Sequence, residues 1–187
     1  MQLTQPMIRF TSTLKLTSLL LMAGLLVACA GPARIEQMAA HDKLSKPVSE
    51  ELKGSIGRVE VTGGMETNPL WASKVSSDAF QRALEESLKA NGFFNPHFSS
   101  SQYELTADLL GLDQPAFGLD FTVRSNVRYS LINKKTRKVA LTKVISSNHT
   151  TKFSEAFAAA QRMQLANEGA IKANIFQLIQ ELDQFKP

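Results

Sequence analysis

The chain contains a single cysteine, Cys29, so no disulfide can form within it and any folded part rests on its apolar core. It also lacks a Gly-rich phosphate loop, a G-x-S-x-G elbow, an H-E-x-x-H helix and any cysteine pair. The three histidines, His41, His97 and His149, are scattered, whereas a metal needs several ligands converging at fixed distance. Asp108, Asp113 and Asp120 flank one hairpin and could be imagined as a carboxylate pair, but aspartate is common in turns and on exposed strand faces. We therefore expect no catalytic residue, no metal and no cofactor. The main apolar run, Leu16 to Val27, is broken by Thr17, Ser18 and Gly24 and is shorter than the roughly 20 residues a spanning helix needs. Internal repeats are also missing.

What is present begins with a secretory pattern. Arg9 and Lys15 precede the apolar run, and no acidic residue occurs before Cys29. The run ends in Leu26-Val27-Ala28-Cys29, which resembles the lipobox of bacterial lipoprotein signals. That resemblance implies a signal peptide over 1–28, diacylglycerol on the Cys29 sulfur, cleavage before Cys29 and acylation of the new amine. The alternative is a plain signal cut at an A-x-A-like site within Val27-Ala28-Cys29-Ala30. Leu at −3, Ala at −1 and Cys at +1 occur together where the apolar run ends, which favours the lipobox. Three acyl chains would hold firmly, since one myristoyl chain alone binds only marginally. Ala30, rather than Asp, follows the cysteine, and by resemblance to lipoprotein sorting this implies the periplasmic face of the outer membrane. Losing Arg9 and Lys15 lowers the formal charge from +4 to +2, so no nucleic-acid partner is expected.

Residues 29–54 are poor in large apolar side chains and include Pro32, Pro47 and Gly54. They read as an acylated cysteine on a flexible tether, with a short helical turn around Arg34 to Met38; the alternative is that part of the segment packs on the domain. A tether of that length reaches about 28 Å. The periplasmic domain then occupies 55–187. Ile56 to Thr62 alternates as a half-buried strand, and Gly63-Gly64 ends it. After a loop with Pro69 and Trp71, Phe80, Leu84 and Leu88 mark a helix between about Ser73 and Asn91, with Ser76 or Ser77 as its cap if it starts late. Asn91-Gly92 supplies the stop.

Three alternating runs follow, from Tyr103, from Phe121 and from Val139, the last with Lys143 interrupting its apolar face. Asp113–Asp120 and Asn133–Lys138 are the turns between them. A closing helix is expected from about Ser154, with Ser154 as N-cap, to Asp183; Ala159, Met163, Ala166 and Ala170 form a small-residue stripe suited to close packing. The order β-α-β-β-β-α predicts an α+β two-layer sandwich, two helices on one face of a mostly antiparallel four-stranded sheet.

Two surface features stand out. Lys134, Lys135, Arg137 and Lys138 crowd one hairpin tip, a candidate contact for anionic lipid, lipopolysaccharide or an acidic partner, or simply a solvated turn. Phe117 and Leu119 lie in the opposite turn, as a candidate interaction surface or as packing under the sheet edge.

Phe80-x-x-x-Leu84-x-x-x-Leu88 before Asn91-Gly92-Phe93, Tyr103-x-Leu105-x-Ala107, Thr151-x-Phe153-x-Glu155-Ala156 and Ala170-x-x-x-Asn174-Ile175 follow the lipobox in order. With it, they resemble small Gram-negative envelope lipoproteins. That group includes uncharacterised periplasmic lipoproteins, auxiliary lipoproteins of ABC-type transport systems and the lipopolysaccharide-assembly lipoprotein. The resemblance implies a non-enzymatic accessory or binding module with an envelope protein partner, held to the membrane through Cys29. The alternative is a lipoprotein that binds lipid or lipopolysaccharide through the basic hairpin. An enzyme with a site assembled from dispersed polar residues is the least favoured reading.

Overall fold

A computed structural model describes residues 30–42, 52–68 and 73–186. Strand β1 (Ile56–Thr62) occupies the expected span, with Val59 and Val61 buried and Arg58 and Glu60 turned outward. Helix α2 (Ser77–Ala90) starts late, because the Ser76 hydroxyl accepts from the Ala79 amide at 3.2 Å and so satisfies one of the helix's orphan donors. Gly92, at φ +79°, ends it in the left-handed conformation. The Gly92 and Phe93 amides then donate back to the Lys89 and Leu88 carbonyls.

Strands β2 (Tyr103–Asp113), β3 (Phe121–Asn133) and β4 (Val139–Thr151) complete one four-stranded sheet in the order β1-β2-β3-β4. β1 and β2 are parallel, joined by the α2 crossover, and the two hairpins are antiparallel. Helix α3 (Ala159–Gln184) lies over β3 and β4, and α2 lies beside β1. The architecture is thus the α+β two-layer sandwich, with Phe80, Leu84, Leu88, Leu105, Tyr129, Leu131, Ile175 and Leu178 at its centre.

Two expectations fail. The closing helix begins at Ala159, not Ser154, and its N-cap residue Ala158 makes no side-chain cap. Residues 152–155 form a separate turn instead, in which the Lys152 amide donates to the Glu155 carboxylate at 2.8 Å. The first turn that Ser154 and Glu155 were expected to cap is therefore a loop that carries Phe153 and Phe157 outward.

The second concerns residues 30–42, for which the alternative of packing on the domain holds. Residues 30–42 are packed on the domain; 43–51 lie outside the described residues, as do Cys29 and the loop with Pro69 and Trp71. A one-turn helix α1 (Ile35–Met38) leads into Met38, Ala39 and Ala40, all fully buried. Burying Met38 contributes about 1.5–3 kcal/mol toward offsetting the entropy lost in ordering the stem. The Ala40 amide donates to the Ser87 hydroxyl at 2.8 Å, which fastens the stem to α2.

Lys143 also finds its reason here. It points from edge strand β4 toward α3 and pairs with Glu181 at 3.0 Å. A charge on the inner side of an edge strand discourages another strand from pairing there.

Candidate functional site: a docked stem and two unlike poles

The stem is locked chiefly by Arg34 and Glu168. The Glu168 carboxylate is buried, its side chain 2% exposed, yet it receives four donors. These are the Arg34 amide at 2.8 Å, the Arg34 Nε at 3.0 Å, the Arg34 Nη2 at 2.8 Å and the Gln164 Nε2 at 3.1 Å. A fork of this kind satisfies a charge that would otherwise be costly to bury. The hydrogen bond to Glu168 raises the Arg34 pKa above its ordinary value, so the guanidinium keeps its charge. Gln164 also donates to the Pro32 carbonyl at 2.8 Å, and Lys172 reaches Asp42 at 3.7 Å at the other end of the stem.

This path brings Ala30 to one end of the sheet. It is 7% exposed and shares a cleft of about 360 Å³ with Gln114, Pro115, Ala116, Phe121, Ala159 and Met163. Phe117 and Leu119 stand just beyond, 88% and 72% exposed, and Phe157 beside them is 80% exposed. The two loops are tied together, since the Phe153 amide donates to Asp120 at 2.9 Å. Phe153 and Phe157 meet edge to face with centroids 5.5 Å apart. Arg162 braces the loop from beneath. It donates to the Ala156 and Phe157 carbonyls at 2.7 Å each, and its guanidinium lies 5.1 Å from the Phe121 ring and 5.0 Å from the Phe153 ring.

The basic tip lies at the opposite end, because β3 and β4 both run the full length of the sheet between them. Thirteen residues of strand span roughly 40 Å. Sequence reasoning offered the two surfaces as separate candidates, and the structure does not bring them together. Lys134 is engaged within the domain, donating to the Phe98 carbonyl and to Ser101 and lying over the Phe98 ring. Arg137 pairs with Glu104 at 3.1 Å. Lys135 and Lys138 are exposed, with no side-chain partner among the described residues.

The remaining polar candidates have structural neighbours. Asp108 meets Arg128 at 3.4 Å and accepts from Thr62, Asp113 accepts from Asn126, and Asp120 holds the Phe153 amide. His41 and His97 lie far apart in sequence, in the stem and before a short turn, while His149 packs against Gly169 of α3. Among the described residues, no group of three or more potential metal ligands converges.

A buried network escaped the sequence reading. The Tyr129 hydroxyl donates to Asn174 Oδ1 at 2.9 Å, and Asn174 Nδ2 donates to the Ile145 carbonyl at 2.9 Å and to Ser125 Oγ at 3.2 Å. Burial pushes the Tyr129 phenol pKa up, so it stays a neutral donor. Asn167 and Asn174 sit seven positions apart on the face that also carries Ile171 and Leu178, and Ser125 alternates in step with Val123 and Val127; both patterns signal that polar groups enter this core.

Comparison of the sequence with family profiles finds no match, and comparison with curated proteins finds none. Solved structures do match in fold. A candidate lipoprotein from Caulobacter crescentus CB15 superposes with a TM-score of 0.51 at 15% identity, covering 74% of this chain and 97% of that one. A hypothetical protein from Chlamydia trachomatis gives a TM-score of 0.51 at 8% identity, covering 71% and 97%. A minor lipoprotein from Acinetobacter baumannii gives 0.46 at 12% identity, covering 70% and 93%. At these identities the shared property is the fold.

Proposed function

We propose that the chain is a lipoprotein held to the periplasmic face of the outer membrane by lipid on Cys29. There it acts as a non-enzymatic accessory module, binding a protein partner in envelope transport or assembly. The observation that carries this reading is the sequence Leu26-Val27-Ala28-Cys29 placed directly before a stem docked on the domain. The fold shared with the candidate lipoprotein of Caulobacter points the same way. The buried polar groups, Glu168, Arg162, Asn174 and Tyr129, serve to hold elements together, which supports a binding role over chemistry.

The partner surface belongs at the pole away from the anchor, where Lys135 and Lys138 are available to acidic side chains. That pole stands roughly 40 Å from the anchored end. The distance disfavours the alternative in which the basic hairpin binds lipid of the anchoring leaflet.

Two measurements test the proposal. Wild-type cells fed labelled palmitate should yield a cut, labelled protein in the outer-membrane fraction, and Cys29→Ser should leave an uncut, unlabelled precursor. Labelling and maturation of Cys29→Ser would refute the anchor. A photo-crosslinker at Lys135 in intact cells should capture one discrete protein, and capture of lipopolysaccharide alone would refute the partner.

A further inference from the structure

We propose that the pole formed by Phe117, Leu119, Phe153 and Phe157 is seated in the leaflet that holds Cys29, so that the protein grips its membrane by loops as well as by lipid. This deepens the anchored-lipoprotein reading and rests on acylation of Cys29. The first argument is the absence of slack. Consecutive Cα atoms lie about 3.8 Å apart, so Cys29 stands one peptide from Ala30. Ala30 is buried in the cleft that Ala116 also lines, and Phe117 is the next residue of that turn. Acyl chains leaving Cys29 therefore enter the bilayer beside Phe117. With residues 30–42 docked through Arg34 and Glu168, the domain has no free tether with which to stand away from the surface.

The second argument is composition. Scattered apolar side chains on a surface need no explanation, but four of the nine large ones exposed among the described residues gather at this end: Phe117, Leu119, Phe153 and Phe157. Aromatic rings are well suited to the zone between headgroups and acyl chains. The carboxylates nearest them are engaged with backbone amides, Asp120 with Phe153 and Glu155 with Lys152. The Lys152 side chain is exposed beside them and suits anionic headgroups. Arg162 and the Asp120 contact already fix both loops, so little ordering is required on insertion.

The test uses the acylated mature protein in vesicles of phosphatidylethanolamine and phosphatidylglycerol. Since acylation consumes the sulfur of the only native cysteine, a thiol-reactive fluorophore marks a single introduced cysteine. Ala116→Cys and Ser154→Cys place the label among the tips without removing an aromatic ring; Thr136→Cys places it at the far pole. Lipids carrying a nitroxide just below the headgroup should quench the first two labels several-fold more than the third. Adding Phe117→Asp and Phe157→Asp should bring quenching at position 154 down to the level at 136, while the protein still floats with the vesicles. Equal quenching at 116, 154 and 136 in a floating, acylated protein would overturn the insertion and leave the anchor intact. A wild-type protein that accepts the thiol label, or that fails to float, would overturn both.

Discussion

The two ends of this sheet are built from the same strands and differ in almost everything else. At one end, residue 30 emerges from a packed stem between two loops whose aromatic rings stand in solvent. At the other, a polar hairpin carries four basic residues, of which Lys134 and Arg137 are held by neighbours and Lys135 and Lys138 are not. The difference shows how a small domain can have a direction. The stem is what converts composition into orientation. Were residues 30–42 loose, the apolar end could face any way; docked, they put residue 30, and with it the proposed anchor, beside it.

The largest way to break this contrast is to free the stem. Arg34→Ala removes two of the charged donors from a buried carboxylate and should cost about 2–3 kcal/mol, less than for a fully buried pair because Arg34 is 49% exposed. Hydrogen exchange should show the amides of 35–40 losing protection before those of β3. Uniform loss across the domain would mean that the stem and sheet unfold as one unit.

A smaller effect is expected where α3 approaches the sheet near the end that carries Ala30. A Cβ on Gly169 would come within 2.2 Å of the His149 ring. Gly169→Ala should therefore destabilise by about 1–2 kcal/mol despite its better helix propensity. Adding His149→Ala should recover most of that loss in a denaturant titration. No recovery would place the strain elsewhere.

The basic end should be far more tolerant. Lys134→Ala removes a cation–π contact with the Phe98 ring and should cost about 0.5–1 kcal/mol. Replacing Lys135 and Lys138 together with Glu should change stability by less than about 0.5 kcal/mol, yet abolish capture by a photo-crosslinker placed instead at the exposed Thr136. A marked loss of stability would show that the tip is part of the fold and not a free surface.

Much of the layout was legible in the sequence because alternation and helical spacing are local signals. Ile56–Thr62 and the Asn91-Gly92 stop are examples in which the residue types and the backbone conformation agree. The start of α3 was misplaced because Ser154 and Glu155 match a capping pattern in composition, while the chain uses them in a turn. The docked stem stood only as the alternative to a free tether, for a different reason. Its lock joins Arg34 to Glu168, 134 positions apart, and no local pattern announces such a pair. A weaker hint existed in Met38-Ala39-Ala40, an apolar run inside an otherwise polar segment. Of the site residues, Phe117 and Leu119 were named, but Phe153 entered only through the resemblance and Phe157 fell inside the expected helix, so the clustering at one pole emerged only from the fold.

Neutron reflectometry of the acylated protein on a supported bilayer tests the orientation most directly. The account predicts protein density continuous with the headgroups and extending roughly 40 Å outward. A hydrated gap on the order of 28 Å between headgroups and protein, as a free tether would give, would contradict it.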